Sequence, residues 1–300
     1  MRDYFKYDVE LVMNITDVDD KIIWKANEAK QEFTFISRKY EHEFLSDMEA
    51  LNVESPSVLT WVSEYIPEIV EYIVKIIENG FAYESNGSVY FNIDSFKCNG
   101  DHTYAKLDPS KVGDEEALKE GEGVLADEIV GDKKSKSDFA LWKKSKEGEP
   151  FWESPWGLGR PGWHIECSAM IHAIFQSKDV DIHSGGIDLK FPHHDNEIAQ
   201  AEAFYNTNEW VWNWFHIGHL NIDGQKMSKS LKNFSTIKEY LSEYNHREMR
   251  FLFLLNQWDK PMNFNPETSL EEARAKDKVF KDFFRTAKSV IKLFDIKTHP

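Results

Sequence analysis

The apolar residues of this chain alternate between strand-like runs and helical spacing, and this succession limits the folds that the chain can adopt. The run from Tyr7 to Met13 predicts a strand that ends at the polar segment 14–17. Apolar residues three and four apart then predict a helix from Phe33 to Met48 and another from Ile66 to Ile77. A strand that ends in a polar loop, followed by strand–helix units, is typical of an α/β domain.

The middle of the chain interrupts this succession. Asn86-Gly87 lies between two short apolar runs and predicts a β-hairpin. Residues 108–137 are charged and glycine-punctuated, which predicts a long surface loop or insertion. The stretch 151–162 is rich in Trp, Pro and Gly and predicts a rigid loop that leads into Trp163–Met170. We therefore expect an α/β domain with an insertion.

Helical spacing dominates the chain after Phe234. Arg247–Leu255 predicts one helix and the whole segment Arg247–Phe264 reads as helical. Ser269-Leu270-Glu271-Glu272 has the pattern of a capping box and is predicted to open the last helix. The expected architecture is thus an interrupted α/β domain with a C-terminal helical appendage.

Charge and cysteine content exclude several classes of protein. The chain has 36 basic and 52 acidic residues and a net charge of −16, which argues against a dedicated nucleic-acid binder but leaves room for a local basic surface. Two cysteines are too few for a disulfide scaffold. No apolar run approaches the roughly 20 residues of a membrane helix. We expect a soluble, cytosolic protein without membrane contact.

Three residues form a candidate zinc set: Cys167, His193 and Glu197. His193 and Glu197 are four positions apart, so a helix would place them on one face. A thiolate, an imidazole and a carboxylate suit zinc, and three protein ligands leave one position open for a substrate. The alternative is structural: a single cysteine is often a small buried apolar residue, and a His/Glu pair at this spacing is often a surface pair. Cys98 has no ligand partner nearby in the sequence.

Two segments suit a nucleotide. Lys226-Met227-Ser228-Lys229-Ser230 follows the turn Asp223-Gly224 and could close on a polyphosphate, although many short Lys/Ser runs are solvated surface loops. Ser184-Gly185-Gly186-Ile187-Asp188 combines glycines that allow close ligand approach with a carboxylate that could accept from ribose hydroxyls. Most Gly-Gly pairs, however, are simply turns.

His216-Ile217-Gly218-His219 matches the HIGH signature that class I aminoacyl-tRNA synthetases use for ATP. That signature belongs in the first strand–helix turn of the nucleotide fold, far upstream of a lysine loop, whereas here it lies just before one. We interpret the string as a strand and turn.

Several longer motifs, in order, resemble cysteinyl-tRNA synthetase of the eukaryotic cytosolic type. They are Met13-Asn14-Ile15-Thr16-Asp17-Val18-Asp19-Asp20-Lys21, Asp138-Phe139-Ala140-Leu141-Trp142-Lys143, Ser154-Pro155-Trp156-Gly157, Gly159-Arg160-Pro161-Gly162-Trp163-His164-Ile165-Glu166-Cys167-Ser168, Phe191-Pro192-His193-His194-Asp195-Asn196-Glu197, the lysine loop and Leu231-Lys232-Asn233-Phe234. The resemblance implies a class I synthetase fold, a Rossmann-like α/β catalytic domain with an incomplete parallel sheet, a connective insertion and a C-terminal helical segment.

The resemblance also implies roles for individual residues. In that family zinc binds the thiolate of the substrate cysteine, and Cys167, His193 and Glu197 correspond to three of its four protein ligands. The residues that correspond to the cysteine pocket are Thr16, Trp163 and His183. The residues that correspond to the ATP site are Gly186, Asp188 and Lys229, and Lys226 and Lys229 correspond to catalytic lysines that contact the phosphates. The implied reaction is ATP-dependent activation of L-cysteine, with Mg²⁺, and transfer to tRNA(Cys).

The resemblance implies four segments, and the chain also departs from the family pattern at both ends. The segments are 1–66 in the first half of the catalytic domain, 67–157 in the insertion, 158–234 in the second half and 235–300 in the helical region. Neither the true HIGH motif nor a cysteine at the place of the fourth zinc ligand precedes Met1, and most of the anticodon-binding domain is absent. We therefore expect little aminoacylation by the chain as written. Two alternatives are a cysteine ligase that acts on an amino-sugar, and a non-catalytic zinc- or partner-binding fragment.

Overall fold

The computed structural model describes residues 1–99, 101–123, 132–177, 179–222, 224–227 and 233–298. The helices are α1 Arg2–Phe5, α2 Asp20–Ala29, α3 Phe33–Ala50, α4 Ile66–Glu78, α5 Ile93–Cys98, α6 Glu115–Glu122, α7 Trp163–Phe175, α8 Asp195–Tyr205, α9 Ile237–Glu243, α10 His246–Leu255 and α11 Pro266–Thr298. The strands are β1 Val12–Ile15, β2 Val58–Trp61, β3 Ala82–Ser85, β4 Ser88–Phe91, β5 Phe139–Lys144, β6 Gly159–Pro161, β7 Val180–Gly186, β8 Val211–Ile217, β9 Leu220–Ile222, β10 Gln225–Lys226 and β11 Met262–Phe264.

The chain forms two compact units. The first contains residues 1–44 and 55–215, and the second contains residues 45–54 and the chain from His216 onward. Within the described residues, no helix has both the length and the apolar character that a membrane span requires.

Parallel and antiparallel sheets divide the first unit. Strands β1 and β2 are parallel, with Val12 opposite Val58, and β7 pairs with β8. An antiparallel sheet of order β3-β4-β5-β6 contains the predicted hairpin, whose turn residues Asn86 and Gly87 both have positive φ. The predicted strand Tyr7–Met13 is wrong in its bounds, because pairing with β2 begins only at Val12.

Helix α4 anchors the main core of this unit. Its residues Ile69 and Ile73 are fully buried, as their helical spacing predicts, and Ile76 is fully buried too. They share one apolar cluster with the inward faces of β4, β5 and α7. Helix α7 carries one of the candidate metal ligands, so this core fixes its position.

The insertion contains more regular structure than the sequence indicates. Within the predicted loop 108–137, Pro109–Lys111 forms a 3₁₀ turn and α6 follows, while residues 124–131 lie outside the described part. The Asp114 carboxylate accepts from the backbone N–H groups of Glu116 and Ala117 and so begins α6. The predicted rigid loop 151–162 contains β6 and a bridge between Trp152 and Gly159.

The second unit combines a three-stranded sheet with helices α9, α10 and α11. The sheet has the order β10-β9-β11, and β9 and β11 are parallel. The interpretation of Arg247–Phe264 as wholly helical is wrong, because α10 ends at Leu255 and the segment closes with β11. Helix α11 begins at Pro266, before the predicted start at Ser269, because the Asn265 side chain accepts from the Thr268 N–H.

Candidate metal centre

Cys167, His193 and Glu197 converge at one place in the first unit, as the sequence predicts. Cys167 lies on α7, Glu197 in the first turn of α8, and His193 in the kinked turn Lys190–His194 just before α8. All three are buried, and their ligand atoms lie within 4.8 Å of one another. His193 Nε2 is 3.1 Å from Glu197 Oε1. This spacing allows one cation to contact a sulfur, a nitrogen and an oxygen together.

The carboxylate of Glu197 fits a metal ligand for a second reason. Its side chain is fully buried, and among the described residues neither of its oxygens has a well-aligned hydrogen bond. A buried carboxylate that lacks such hydrogen bonds is costly unless neighbouring imidazoles or a metal ion compensate for its charge. The donor set of thiolate, imidazole and carboxylate therefore fits zinc, and with three protein ligands one position stays open.

The electrostatics of this site show why a cation suits it. Burial alone would raise the pKa of Glu197, but interactions with His183, His193 and His194 lower it to about 2. Burial, followed by the negative charges of Glu197 and Glu166, raises the pKa of the Cys167 thiol well above its usual range. A divalent cation would reverse this penalty on the thiolate.

Three neighbours hold the candidate ligands in place. His164 Nδ1 and His193 Nδ1 are 2.9 Å apart, so one of these atoms donates a hydrogen bond to the other. The ring of Trp163 stacks on that of His193, with centroids 4.4 Å apart. Asn14 Nδ2 donates to Cys167 Sγ at 3.5 Å. Such contacts orient ligand side chains at metal sites.

A second set of donors, which our sequence analysis did not single out as a set, shares Glu197. The ligand atoms of His183, His194 and Glu197 also lie within 4.8 Å of one another. Trp214 lies 4.8 Å from the ring of His183 and 5.1 Å from that of His194. In the sequence, His194 is marked only by its place beside His193. No local spacing joins it to His183, because His183 lies on a different element, β7.

The structure brings two of the three predicted cysteine-pocket residues to the metal ligands. Trp163 stacks on His193, and His183 Nε2 lies 3.7 Å from Glu197 Oε1. Thr16 instead lines a cavity of about 350 Å³ between β1 and α3. Asn14 lines this cavity too and donates to Cys167 Sγ, so one residue contacts both the cavity and a candidate metal ligand.

The predicted nucleotide residues are only partly described. The Asp188 carboxylate lies against Gly186, where a Cβ would come within 2.4 Å of Asp188 Oδ1. Lys226 is exposed on β10 in the second unit, and Lys229 lies outside the described residues. His216 and Ile217 end β8 and His219 immediately precedes β9, which agrees with a strand and turn.

The opposite side of α8 is held by the segment 102–108, which the sequence analysis missed. The Asp195 carboxylate accepts from the backbone N–H groups of Leu107 and Asp108, at 2.8 and 3.1 Å. Tyr104 Oη donates to Asn196 Oδ1 at 2.7 Å. These hydrogen bonds fix the first turn of α8, which also carries Glu197.

Comparisons with known proteins identify the family of this chain. The family of class I (C) tRNA synthetase catalytic domains matches residues 1–275. A cytoplasmic cysteine–tRNA ligase of Dictyostelium discoideum is 56% identical over 293 residues, which are 97% of this chain and 44% of that protein. A cysteine–tRNA ligase of Encephalitozoon cuniculi is 49% identical over 292 residues, which are 97% of this chain and 58% of that protein. This chain therefore spans only part of the length of these relatives.

A solved structure agrees at the level of the fold. Methionyl-tRNA synthetase of Mycobacterium tuberculosis, bound by methionyl-adenylate, aligns with a TM-score of 0.63 at 15% identity, over 90% of this chain and 61% of that chain. The expected class I synthetase fold is thereby confirmed. The chain belongs to the class I (C) tRNA synthetase catalytic-domain family.

Proposed function

We propose that this chain provides the cysteine- and ATP-binding machinery of a cysteine–tRNA ligase. In that reaction the cysteine carboxylate attacks the α-phosphorus of ATP, forms cysteinyl-adenylate and releases pyrophosphate. A terminal ribose hydroxyl of tRNA(Cys) then attacks the cysteinyl carbonyl and releases AMP. The observation that carries the proposal is the convergence of Cys167, His193 and Glu197 on one buried site, together with relatives whose names specify this ligase.

The three converging side chains would hold a zinc ion and leave one position for the substrate. Zinc, when bound there, supplies a soft Lewis acid that binds a thiolate in preference to a hydroxyl, which separates cysteine from serine. His164 fixes the ring of His193 through the Nδ1 contact, so that His193 Nε2 faces Glu197. Trp163 and His183 border the same place and would exclude water from the substrate side chain.

The remaining proposed roles concern the nucleotide and the RNA. Gly186 and Asp188 would receive the ATP ribose, because the carboxylate accepts from hydroxyls and the glycine permits close approach. Lys226 and Lys229 would stabilise the negative charge that develops on the phosphates, with Mg²⁺ as the counterion of ATP. The partner that accepts cysteine is tRNA(Cys), and the proposed compartment is the cytoplasm, as in the names of several relatives.

The test measures zinc content and cysteine binding of the purified chain. We expect about one zinc per chain, retained longer against a chelator with free cysteine than with serine. Cys167→Ser should remove the zinc and the effect of cysteine, because a hydroxyl is a poor zinc ligand. Cys98→Ser is the matched control, because Cys98 is exposed and far from the metal ligands in the sequence.

Either of two outcomes would contradict the proposal. One is a folded chain that binds zinc but retains it equally well with cysteine and with serine. The other is unchanged zinc content in Cys167→Ser, which would place the metal elsewhere. Far-UV circular dichroism of each variant separates loss of metal from loss of fold.

A further inference from the structure

Two short segments of the insertion are rich in lysine, although the insertion as a whole is acidic. The tetrapeptide Lys-Lys-Ser-Lys occurs twice, at 133–136 and at 143–146. Between residues 133 and 146 there are six lysines and a single acidic residue, Asp138, in a chain whose net charge is −16. Asp138 is buried and accepts hydrogen bonds from Tyr83 Oη and the backbone N–H of Ile93, so its charge faces the interior.

The fold brings both tetrapeptides to the same hairpin turn. Asn86 Nδ2 donates a short hydrogen bond to Asp132, which immediately precedes the first tetrapeptide. On the other side the Lys144 N–H donates to Ser88 Oγ at 3.1 Å. The stem of Lys144 passes so close to Gly87 that a Cβ there would lie 3.3 Å from Lys144 Cδ. The two lysine segments therefore flank the turn Asn86-Gly87.

Only some of these lysines face the solvent. Lys143 is mostly buried near Asp20, and Lys133 Nζ pairs with Glu122 Oε1 at 2.8 Å. The others are exposed and form what we call the lysine surface: Lys134, Lys136, Lys144 and Lys146. The alternation of Lys143 inward and Lys144 outward follows from the two-residue period of β5.

Two of the exposed ammonium groups, those of Lys134 and Lys136, have little compensation from carboxylates. Lys136 Nζ lies 3.7 Å from Glu115 Oε1, but both side chains are highly exposed, so water screens this ion pair. Lys134 Nζ lies 4.2 Å from the centroid of the Tyr83 ring, a contact that holds the cation without neutralising it. Two exposed carboxylates lie nearby in the sequence: Glu84 just before the turn Asn86-Gly87, and Glu147 just after the second tetrapeptide.

We propose that the lysine surface binds the phosphate backbone of an RNA, namely the tRNA of the proposed function, on which this inference rests. The net charge of −16 repels a polyanion, so RNA binding by this chain needs a local surface of opposite sign. Several flexible ammonium groups side by side match successive phosphates, and they carry no information about base sequence. The lysine surface supplies affinity, and recognition of the particular tRNA comes from elsewhere.

The test compares two variants with the same loss of charge. The first changes Lys134, Lys136, Lys144 and Lys146 to Gln. The matched control changes four exposed lysines of the same unit, Lys30, Lys39, Lys97 and Lys111, to Gln. We expect the first variant to bind a tRNA(Cys) transcript at least about tenfold more weakly at 0.15 M salt, and its plot of log affinity against log salt to be shallower by about 3 to 4. The control should change little.

Three outcomes would overturn the inference: equal loss in both variants, unchanged binding in the first variant, or stronger binding of the wild-type chain to anionic phospholipid vesicles than to tRNA. Cysteine-dependent zinc retention, measured on the same preparations, separates this failure from that of the proposed function. If retention is thiol-selective and both variants bind tRNA normally, only the lysine surface is wrong. If retention is not thiol-selective, the proposed function fails whatever the RNA result.

Discussion

His164 supports the candidate metal ligand His193 from the side of the ring that faces away from Glu197. Its Nδ1 contacts Nδ1 of His193, while Nε2 of His193 faces Glu197 Oε1. His164 is itself buried, and its ring lies 5.5 Å from Phe139 and 5.1 Å from Trp163. A partner of this kind fixes both the orientation and the protonated nitrogen of a ligand imidazole.

We predict that His164→Phe weakens zinc binding about 10- to 100-fold, the usual cost of losing a partner of a metal ligand. The phenyl ring preserves the packing against Phe139 and Trp163 but cannot hydrogen-bond to His193. The measurement is a competition titration against a chromophoric zinc chelator. His172→Phe is the control, because His172 is on the same helix and instead contacts Tyr205. Equal zinc affinity in both variants would show that His193 needs no such support.

At the scale of single elements, two helices of the second unit begin with reciprocal caps. In α9 the Thr236 hydroxyl accepts from the Glu239 N–H, and the Glu239 carboxylate accepts from the Thr236 N–H. Asn245 and Glu248 form the same arrangement at α10. We predict that Asn245→Ala lowers the free energy of unfolding by about 0.5 to 2 kcal/mol. Urea titration should show this loss, and Ser235→Ala, outside either helix, should leave stability within about 0.5 kcal/mol.

Helices α10 and α11 are joined by a buried carboxylate that makes stability depend on pH. Asp277 is 4% exposed, and its Oδ1 accepts from Arg247 Nε and Nη2 at 2.9 and 2.6 Å. Burial by itself raises the pKa of Asp277, but hydrogen bonds and charge interactions with Arg247 and Lys281 lower it below its ordinary value of 3.8. The folded state therefore releases this proton more readily than the unfolded chain does.

The sign of the pH effect follows from that difference. A lowered pKa in the folded state contributes stability that is complete above about pH 4, the ordinary aspartate value, and disappears as pH falls through the folded-state pKa. We predict that Asp277→Asn lowers the free energy of unfolding at pH 7 and reduces its fall between pH 4 and pH 2. Denaturant titrations across this range measure both effects. An identical acid limb in the variant would assign the acid sensitivity to other groups.

Local spacing predicted those parts of the fold and site that depend on a single element. The spacing of Ile66, Ile69, Ile73 and Ile77 identified α4. The four-residue spacing of His193 and Glu197 placed these two side chains together, although His193 precedes α8. Spacing along the chain could not predict that Cys167 lies beside these two ligands, because the packing of α7 against α8 brings it there. It also missed the convergence of His183 with His194, which depends on the position of β7.

The errors have equally specific causes. A run of strand type such as Tyr7–Met13 needs a partner strand, and its pairing with β2 starts only at Val12. Helix α6 has a weak apolar pattern, so the periodicity of its sequence predicted a loop. The helix is fixed instead by the cap at Asp114. The start of α11 was predicted three residues too late for a similar reason. The cap at Asn265 is a single side chain, whereas the capping-box pattern at Ser269 is more conspicuous in the sequence.

For the whole molecule, the distribution of charge is the property that unites these observations. The chain is strongly acidic overall, and it buries Cys167 near Glu197 and Glu166, which raises the pKa of the thiol and would be relieved by a cation. It also collects exposed lysines on the insertion sheet. Net charge alone predicts a protein that avoids anions, whereas the candidate metal centre and the lysine surface are two places that suit a cation and an anion respectively. Both places are in the first unit.

Metal binding should therefore contribute to the stability of the folded chain. A ligand that binds only the folded state adds about 4.1 kcal/mol when its free concentration is 1,000 times its dissociation constant. For a unit of this size each kcal/mol shifts the melting temperature by about 2 to 4 °C, so we predict that chelation lowers it by about 8 to 16 °C.

Scanning calorimetry with and without a chelator measures this shift, and re-addition of zinc should reverse it. Cys167→Ser is the internal control, since a chain that has lost a ligand has little zinc to release and should melt at nearly the same temperature in both conditions. Free cysteine should raise the melting temperature of the zinc-loaded wild-type chain further, and serine should not, because only a thiolate adds a strong bond to the metal. A melting temperature that does not respond to chelation would mean that Glu197 and Cys167 are stabilised without a cation.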